Sequence, residues 1–146
     1  MRVLCVCLGN ICRSPTAEAV LRKLAPGLSL DSAGTSGWHI GDPPNAPAIK
    51  AAARRGYDLT PLRARAFQTE DFERFDLILA MDAQNLRDIE KLRPAGSTTT
   101  IRLFLDYTEN NRGQDVPDPY YTRDFDGALD LVEQAAAGLL RSLDLY

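Results

Sequence analysis

The chain has 146 residues, 45% hydrophobic and 25% charged, the balance of one globular domain over 1–146 able to bury a core unaided. Its net charge of −3 argues against a nucleic-acid or membrane partner, so an anionic ligand must be drawn in by local donors. No apolar run approaches the ~18 residues of a membrane span, and the first residues meet Gly9 and Asn10 too soon for a secretion signal.

Strand-like and helix-like runs alternate along the chain. Arg2 to Cys7 is apolar at nearly every position, as a parallel strand covered on both faces should be. Ser14-Pro15 reads as an N-cap followed by a first helical residue, with an apolar stripe at Ala17, Val20, Leu21 and Leu24. Pro26-Gly27 ends that helix. Leu28 to Ala33 is a second strand, and Gly34 to Pro44 a glycine-rich loop. Ala46 to Arg55 has the composition of a helix stopped by Gly56, its closing arginines suited to the negative end. A helical turn near Thr69 to Arg74 leads into a third strand, Phe75 to Met81. Asp82 caps a helix carrying Leu86, Ile89 and Leu92, and Thr99 to Leu105 is a fourth strand.

After a long polar loop comes the clearest helix, with Phe125, Ala128, Leu129, Val132, Ala136, Leu139, Leu140 and Leu143 in helical period. Four strands joined by right-handed crossovers predict an α/β, flavodoxin-like three-layer fold, a parallel sheet in the order 2-1-3-4 with helices on both faces. In that order a crevice opens at the carboxyl end of strand one, where Cys7 stands.

The three cysteines lie at positions 5, 7 and 12. An odd number so tightly spaced builds no disulfide framework, and a single His in the chain excludes the usual zinc spacings. The expectation is a reducing, cytoplasmic setting and reactive thiol chemistry. Cys5, inside an apolar strand, reads as filling.

Residues 7 to 15 run Cys-Leu-Gly-Asn-Ile-Cys-Arg-Ser-Pro between a strand and a helix. Such a loop can turn the N–H groups of Leu8, Gly9, Asn10, Ile11 and Cys12 inward as an anion nest, with the helix N-terminus adding positive potential. Arg13 can close the ring as a planar fork on two phosphoryl oxygens. The same donors favour a thiolate at Cys7, ready to attack phosphorus, and Ser14 is placed to hydrogen-bond that sulfur.

On this loop the chain resembles the low-molecular-weight protein tyrosine phosphatases, and the likeness runs nearly end to end. It extends through Asp31-Ser32-Ala33-Gly34-Thr35, Trp38, the Asp82 and Asn85 pair, and Asp118-Pro119-Tyr120-Tyr121. The resemblance implies a metal-independent phosphatase with no cofactor. Cys7 would be its nucleophile, Arg13 its phosphate clamp and Asp118 its general acid. It also implies Asn10, Ser32 and Asp82 as supports of the loop, Trp38, Tyr120 and Tyr121 as aromatic walls for a tyrosine ring, and Cys12 as a redox partner of Cys7. Phosphotyrosine proteins would be the substrates, with a bacterial tyrosine kinase the opposing partner of a bacterial member; oligomeric state is left open.

Apart from the family, a phenolate leaving group needs a proton donor, and Asp118 sits in a loop longer than structure alone calls for. One departure is visible. Where many relatives carry a His before an Arg-Ala-Arg segment, this chain has Leu62 before Arg63-Ala64-Arg65, so a polar contact beneath the loop is expected to be missing. His39 and the stretch from Arg63 to Arg65 read as solvated.

Rival readings share parts of the pattern. Arsenate reductases of this fold need further cysteines downstream, and none follows Cys12. Phosphoarginine phosphatases tend to place a small hydroxyl residue where this chain has Ile11. A cysteine phosphocarrier would have little use for Arg13 or Asp118, and a phosphotyrosine-binding module little use for an intact nucleophile and acid.

Overall fold

The computed structural model describes residues 1–144. Its centre is a sheet of four parallel strands, β1 (Arg2–Cys7), β2 (Ser29–Gly34), β3 (Leu77–Ala80) and β4 (Thr100–Leu103), in the order β2-β1-β3-β4. β1 pairs with β2 in register Arg2↔Ser29 to Cys7↔Gly34 and with β3 from Val3↔Leu77 to Val6↔Ala80. The predicted order is the one observed, and Cys7 closes the inner strand at the crevice between β1 and its neighbours.

Alternate residues of β1 face opposite layers, as strand geometry requires. Val3, Cys5 and Cys7 join an apolar cluster with α1 (Arg13–Leu24) and α6 (Phe125–Ser142), which supply Ala17, Val20, Leu21, Leu129, Val132 and Leu139. Leu4 and Val6 join a smaller cluster with Phe67, Phe72, Ile78 and Ile89 on the other face, beside α3 (Asp71–Arg74) and α4 (Ala83–Lys91). Two short elements complete the order, α2 (Ala46–Arg54) and α5 (Pro119–Thr122). No helix among the described residues is long and apolar enough to cross a membrane.

Three local expectations are corrected. The first helix starts at Arg13 with Cys12 at the cap position, so Ser14 lies within its first turn and no side chain caps it. A capping side chain would fill the space that the loop leaves open above the helix end. β4 stops at Leu103 because Phe104 to Tyr107 curls into a 3-10 turn that buries Phe104 and Leu105. Leu24, placed on the buried stripe by periodicity, is 40% exposed at the end of α1.

Candidate active site

The loop from Cys7 to Ser14 wraps the N-terminus of α1, which has neither a capping side chain nor an acidic residue in its first turn. The helix dipole and free N–H groups therefore point at the loop centre. Cys7 is almost wholly buried. Its Sγ accepts the Asn10 N–H at 3.3 Å and lies 3.0 Å from Ser14 Oγ. That hydroxyl has one proton and two acceptors in reach, the sulfur at 3.0 Å and the Ala33 carbonyl at 3.5 Å. Either atom can be the donor in the contact with sulfur, and against a Cys7 thiolate the donor is the Ser14 hydroxyl.

The loop is held from below by a chain of side chains whose donors and acceptors are all matched. Asn10 Nδ2 donates to Ser14 Oγ at 2.8 Å and to Ser32 Oγ at 3.0 Å, while its Oδ1 accepts the Arg65 N–H at 3.0 Å. Ser32 donates to Glu18 Oε1 at 2.7 Å, and Arg22 binds Glu18 Oε2 at 2.6 Å. Burial pushes the Glu18 carboxyl up, against the pull of Ser32 and Arg22. Asn10 adopts a left-handed φ of 57°, which Asn tolerates better than most residues. Gly34 is required where β2 meets the loop, since a Cβ there would stand 2.8 Å from the Leu8 carbonyl oxygen.

Arg13 is also buried. Its Nη1 donates to Asp82 Oδ2 at 2.7 Å and to the Val116 carbonyl at 3.0 Å, and Nη2 reaches Asp118 Oδ2 at 3.4 Å. Burial works against its charge, but Cys7, Asp82 and Asp118 outweigh it and hold the guanidinium pKa above its ordinary value. Asp82 thus serves twice, because its Oδ1 also caps α4 through the Asn85 N–H at 2.7 Å. Asp118 caps α5, accepting the Tyr120 N–H at 3.1 Å.

These residues open on a cleft at the carboxyl end of β1. Cys7, Leu8, Gly9, Ile11 and Arg13 form its floor, which Cys12 reaches from beneath, and Trp38, His39, Asp118, Tyr120 and Tyr121 form its walls. The Tyr120 and Tyr121 rings meet edge to face at 5.2 Å. Cys12 is buried beneath the floor. Desolvation, with Asp118 and Cys7, pushes its thiol up to about 12, Arg13 and Arg123 pulling the other way.

A floor of anion donors around one sulfur, with a carboxylate and aromatic rings above, is arranged for phosphoryl transfer to a thiol. Comparison with known proteins agrees. The sequence pattern of the family described as low molecular weight phosphotyrosine protein phosphatase matches residues 2–145. The chain belongs to that family. It is 42% identical to the low molecular weight protein-tyrosine-phosphatase YfkJ of Bacillus subtilis, across 97% of this chain and 94% of that one. A tyrosine phosphatase structure from Entamoeba histolytica superposes with a TM-score of 0.91 at 35% identity, covering 99% of this chain and 97% of that one. The Drosophila arginine phosphatase superposes at 0.92 and 30% identity, covering 98% of each chain.

Every site residue named from the sequence reaches the cleft or its supports. Three were misjudged or overlooked. His39 is not simply solvated: it lines the cleft, lies 3.2 Å from Asp42 and closes on Gly9, where a Cβ would meet its ring at 3.1 Å. Arg65 is not solvated either. Its guanidinium spans Asp31 at 3.0 Å and the fully buried Asp71 at 3.0 and 3.1 Å, which fixes the N–H that serves Asn10. Asn10 Oδ1 is satisfied by that N–H, and Leu62 packs on the core. Glu18 went unremarked, although its place one helical turn after Ser14 puts both on one face.

Proposed function

We propose that the chain hydrolyses phosphotyrosine in proteins through a cysteinyl-phosphate on Cys7. In this reading the phosphoryl group sits on the loop N–H groups. Arg13, anchored through Nη1 by Asp82 and Val116, offers its Nε and Nη2 edge to two phosphoryl oxygens. Cys7 Sγ attacks phosphorus in line with the phenolic oxygen, and Asp118 gives that oxygen its proton as the P–O bond breaks. Water then attacks phosphorus, Asp118 takes a proton from it, and the sulfur leaves as a thiolate that the Ser14 hydroxyl stabilises. No step calls for a metal or a cofactor. The observation that carries the reading is the sulfur itself, buried between the Ser14 hydroxyl and the Asn10 N–H at the uncapped end of α1.

The fold does not choose between phosphotyrosine and phosphoarginine, since an arginine phosphatase superposes as well as a tyrosine phosphatase does. Ile11 in the floor and Trp38, Tyr120 and Tyr121 in the walls favour an aromatic ring over a guanidinium. In this reading the substrates are phosphotyrosine proteins of the cytoplasm, a bacterial tyrosine kinase among them. Rapid quenching of phosphotyrosine turnover should trap phosphate on Cys7, and Cys7→Ser should abolish hydrolysis while EDTA leaves the wild type untouched. Turnover by Cys7→Ser near the wild-type rate would overturn the mechanism.

A further inference from the structure

A second groove is walled on one side by Pro47, Lys50 and Arg54 of α2 and on the other by Arg123 to Asp126. Lys50 and Arg54 are four residues apart and so share a face of the helix, both exposed. Arg123 looks across at them from the end of α5, where it holds a left-handed φ of 64°. None of these three cations has an anionic partner among the described residues. Asp124 caps α6 through the Gly127 N–H at 2.9 Å, and Asp126 pairs at 3.5 Å with Arg55, which also holds Asp130 and Glu133. The lining of the groove thus sets three exposed cations against two carboxylates, both of which have hydrogen-bond or ion-pair partners of their own.

The groove adjoins the catalytic cleft along the chain: Tyr121 walls the cleft and Arg123, two residues on, walls the groove, and the charge of Arg123 is felt at Cys12 in the cleft. Two residues span at most about 7 Å along the chain. A phosphotyrosyl segment leaving the cleft past Tyr121, extended at roughly 3.3 Å per residue, comes within reach of the groove two to four residues from the phosphotyrosine. The walls of the cleft are aromatic, and its one basic candidate, His39, is turned to Asp42. Recognition of flanking charge falls to the groove.

We propose that this groove docks Asp or Glu side chains of the substrate lying two to four residues from the phosphotyrosine, and so gives the enzyme a preference for acidic phosphotyrosyl segments. The proposal rests on the phosphatase reading of the cleft. Carboxylates near three exposed cations gain through encounter and orientation more than through any single contact, and salt weakens the effect.

The test compares kcat/KM for phosphotyrosyl peptides with Glu or Gln two to four residues away, on the N-terminal side in one pair and the C-terminal side in another. 4-Nitrophenyl phosphate, too small to reach the groove, is the control. Wild type should favour Glu over Gln by about tenfold on one side, through KM, and the preference should shrink toward unity in about 0.5 M salt. The pair Lys50→Glu and Arg54→Glu should reverse it and leave 4-nitrophenyl phosphate within about twofold of wild type. Lys50→Gln with Arg54→Gln should erase it without reversal. Arg123→Asn, which suits the left-handed backbone, should lower it. Equal rates for Glu and Gln on both sides, or a double variant that slows 4-nitrophenyl phosphate as much as peptide, overturns the groove. Loss of the phosphatase reading would show separately, as wild type failing on every aryl phosphate.

Discussion

The floor and the rim of the cleft face the same space but are held in different ways. In the floor, Cys7, Asn10, Arg13 and Ser14 are all buried, and each side-chain polar group of Asn10 has a partner at 2.8 to 3.0 Å. At the rim Trp38 and Tyr121 leave 72% and 70% of their surface in solvent. Donors fixed before the substrate arrives need no reorganisation as charge builds on phosphorus, which is where rate comes from. Exposed rings contribute contact area and can adjust to the segment that carries the phosphotyrosine. Changes in the floor should therefore act on kcat, and changes at the rim on KM.

Asp118 joins the two regions, one oxygen on the rim's Tyr120 N–H and the other toward Arg13 in the floor. Asp118→Ala should slow phosphotyrosine hydrolysis by about 10²- to 10⁴-fold, the usual worth of a general acid. The loss should shrink as the leaving phenol becomes more acidic and needs no proton. An equal loss for good and poor leaving groups, with phosphoenzyme breakdown shown not to limit the rate, would remove Asp118 from the acid role and leave it a rim residue.

Arg65 tests how far the floor extends. Arg65→Met leaves the fully buried Asp71 with only the Gln68 N–H at 2.8 Å and the Arg74 guanidinium at 3.8 Å, a loss of up to about 3 kcal/mol that should lower Tm by several degrees. If the strut also fixes the N–H that holds Asn10, kcat should fall about tenfold at temperatures where the variant is folded, while KM moves little. Asp71→Asn should fall between the two. A variant with lowered Tm but wild-type kcat would make Arg65 a support of the fold alone.

The sheet order and the loop from Cys7 to Ser14 were legible because each carries a local mark. β1 is apolar after Arg2, α6 keeps its period for eighteen residues, and the loop between β1 and α1 carries a thiol, glycine, arginine and serine. Trp38, Tyr120 and Tyr121 came instead from the family resemblance, which also lifted Asp118 above an ordinary turn residue. What was not legible depends on distance or on backbone. Arg65 serves the loop through its N–H, which every residue but proline has, and its side chain meets Asp31 34 positions away. His39 gains its place by closing on Gly9, a contact no spacing announces. Ser14 followed a sound capping rule that fails here because the helix end is kept for an anion.

At the rim the expected effect is smaller. Trp38→Ala should raise KM for phosphotyrosyl peptides by about three- to tenfold, the range of an aromatic contact, with kcat near wild type. A fall in kcat alone would mean that Trp38 helps hold the floor, and the division between the two regions would have to be redrawn.

The smallest effect on turnover and the sharpest on chemistry concerns the two thiols of the loop. Cys7 touches the Ser14 hydroxyl and the Asn10 N–H, whereas Cys12 is buried below with its pKa pushed up to about 12. At pH 7 only roughly one Cys12 in 10⁵ is a thiolate. Peroxide should therefore oxidise Cys7 first, to a sulfenic acid, with the peroxide reduced to water. The Cys12 thiolate then attacks that sulfur, a disulfide forms and hydroxide leaves. Because closure needs the Cys12 thiolate, its rate should rise about tenfold per pH unit across the neutral range. Low pH should favour over-oxidation of Cys7 instead. Peptide mapping after peroxide should find Cys7 joined to Cys12, and dithiothreitol should restore activity more fully at pH 8 than at pH 6. Cys12→Ser should recover far less of its own untreated activity at either pH. A Cys7–Cys5 link, or equal recovery by Cys12→Ser, would show that Cys12 only fills space beneath the floor.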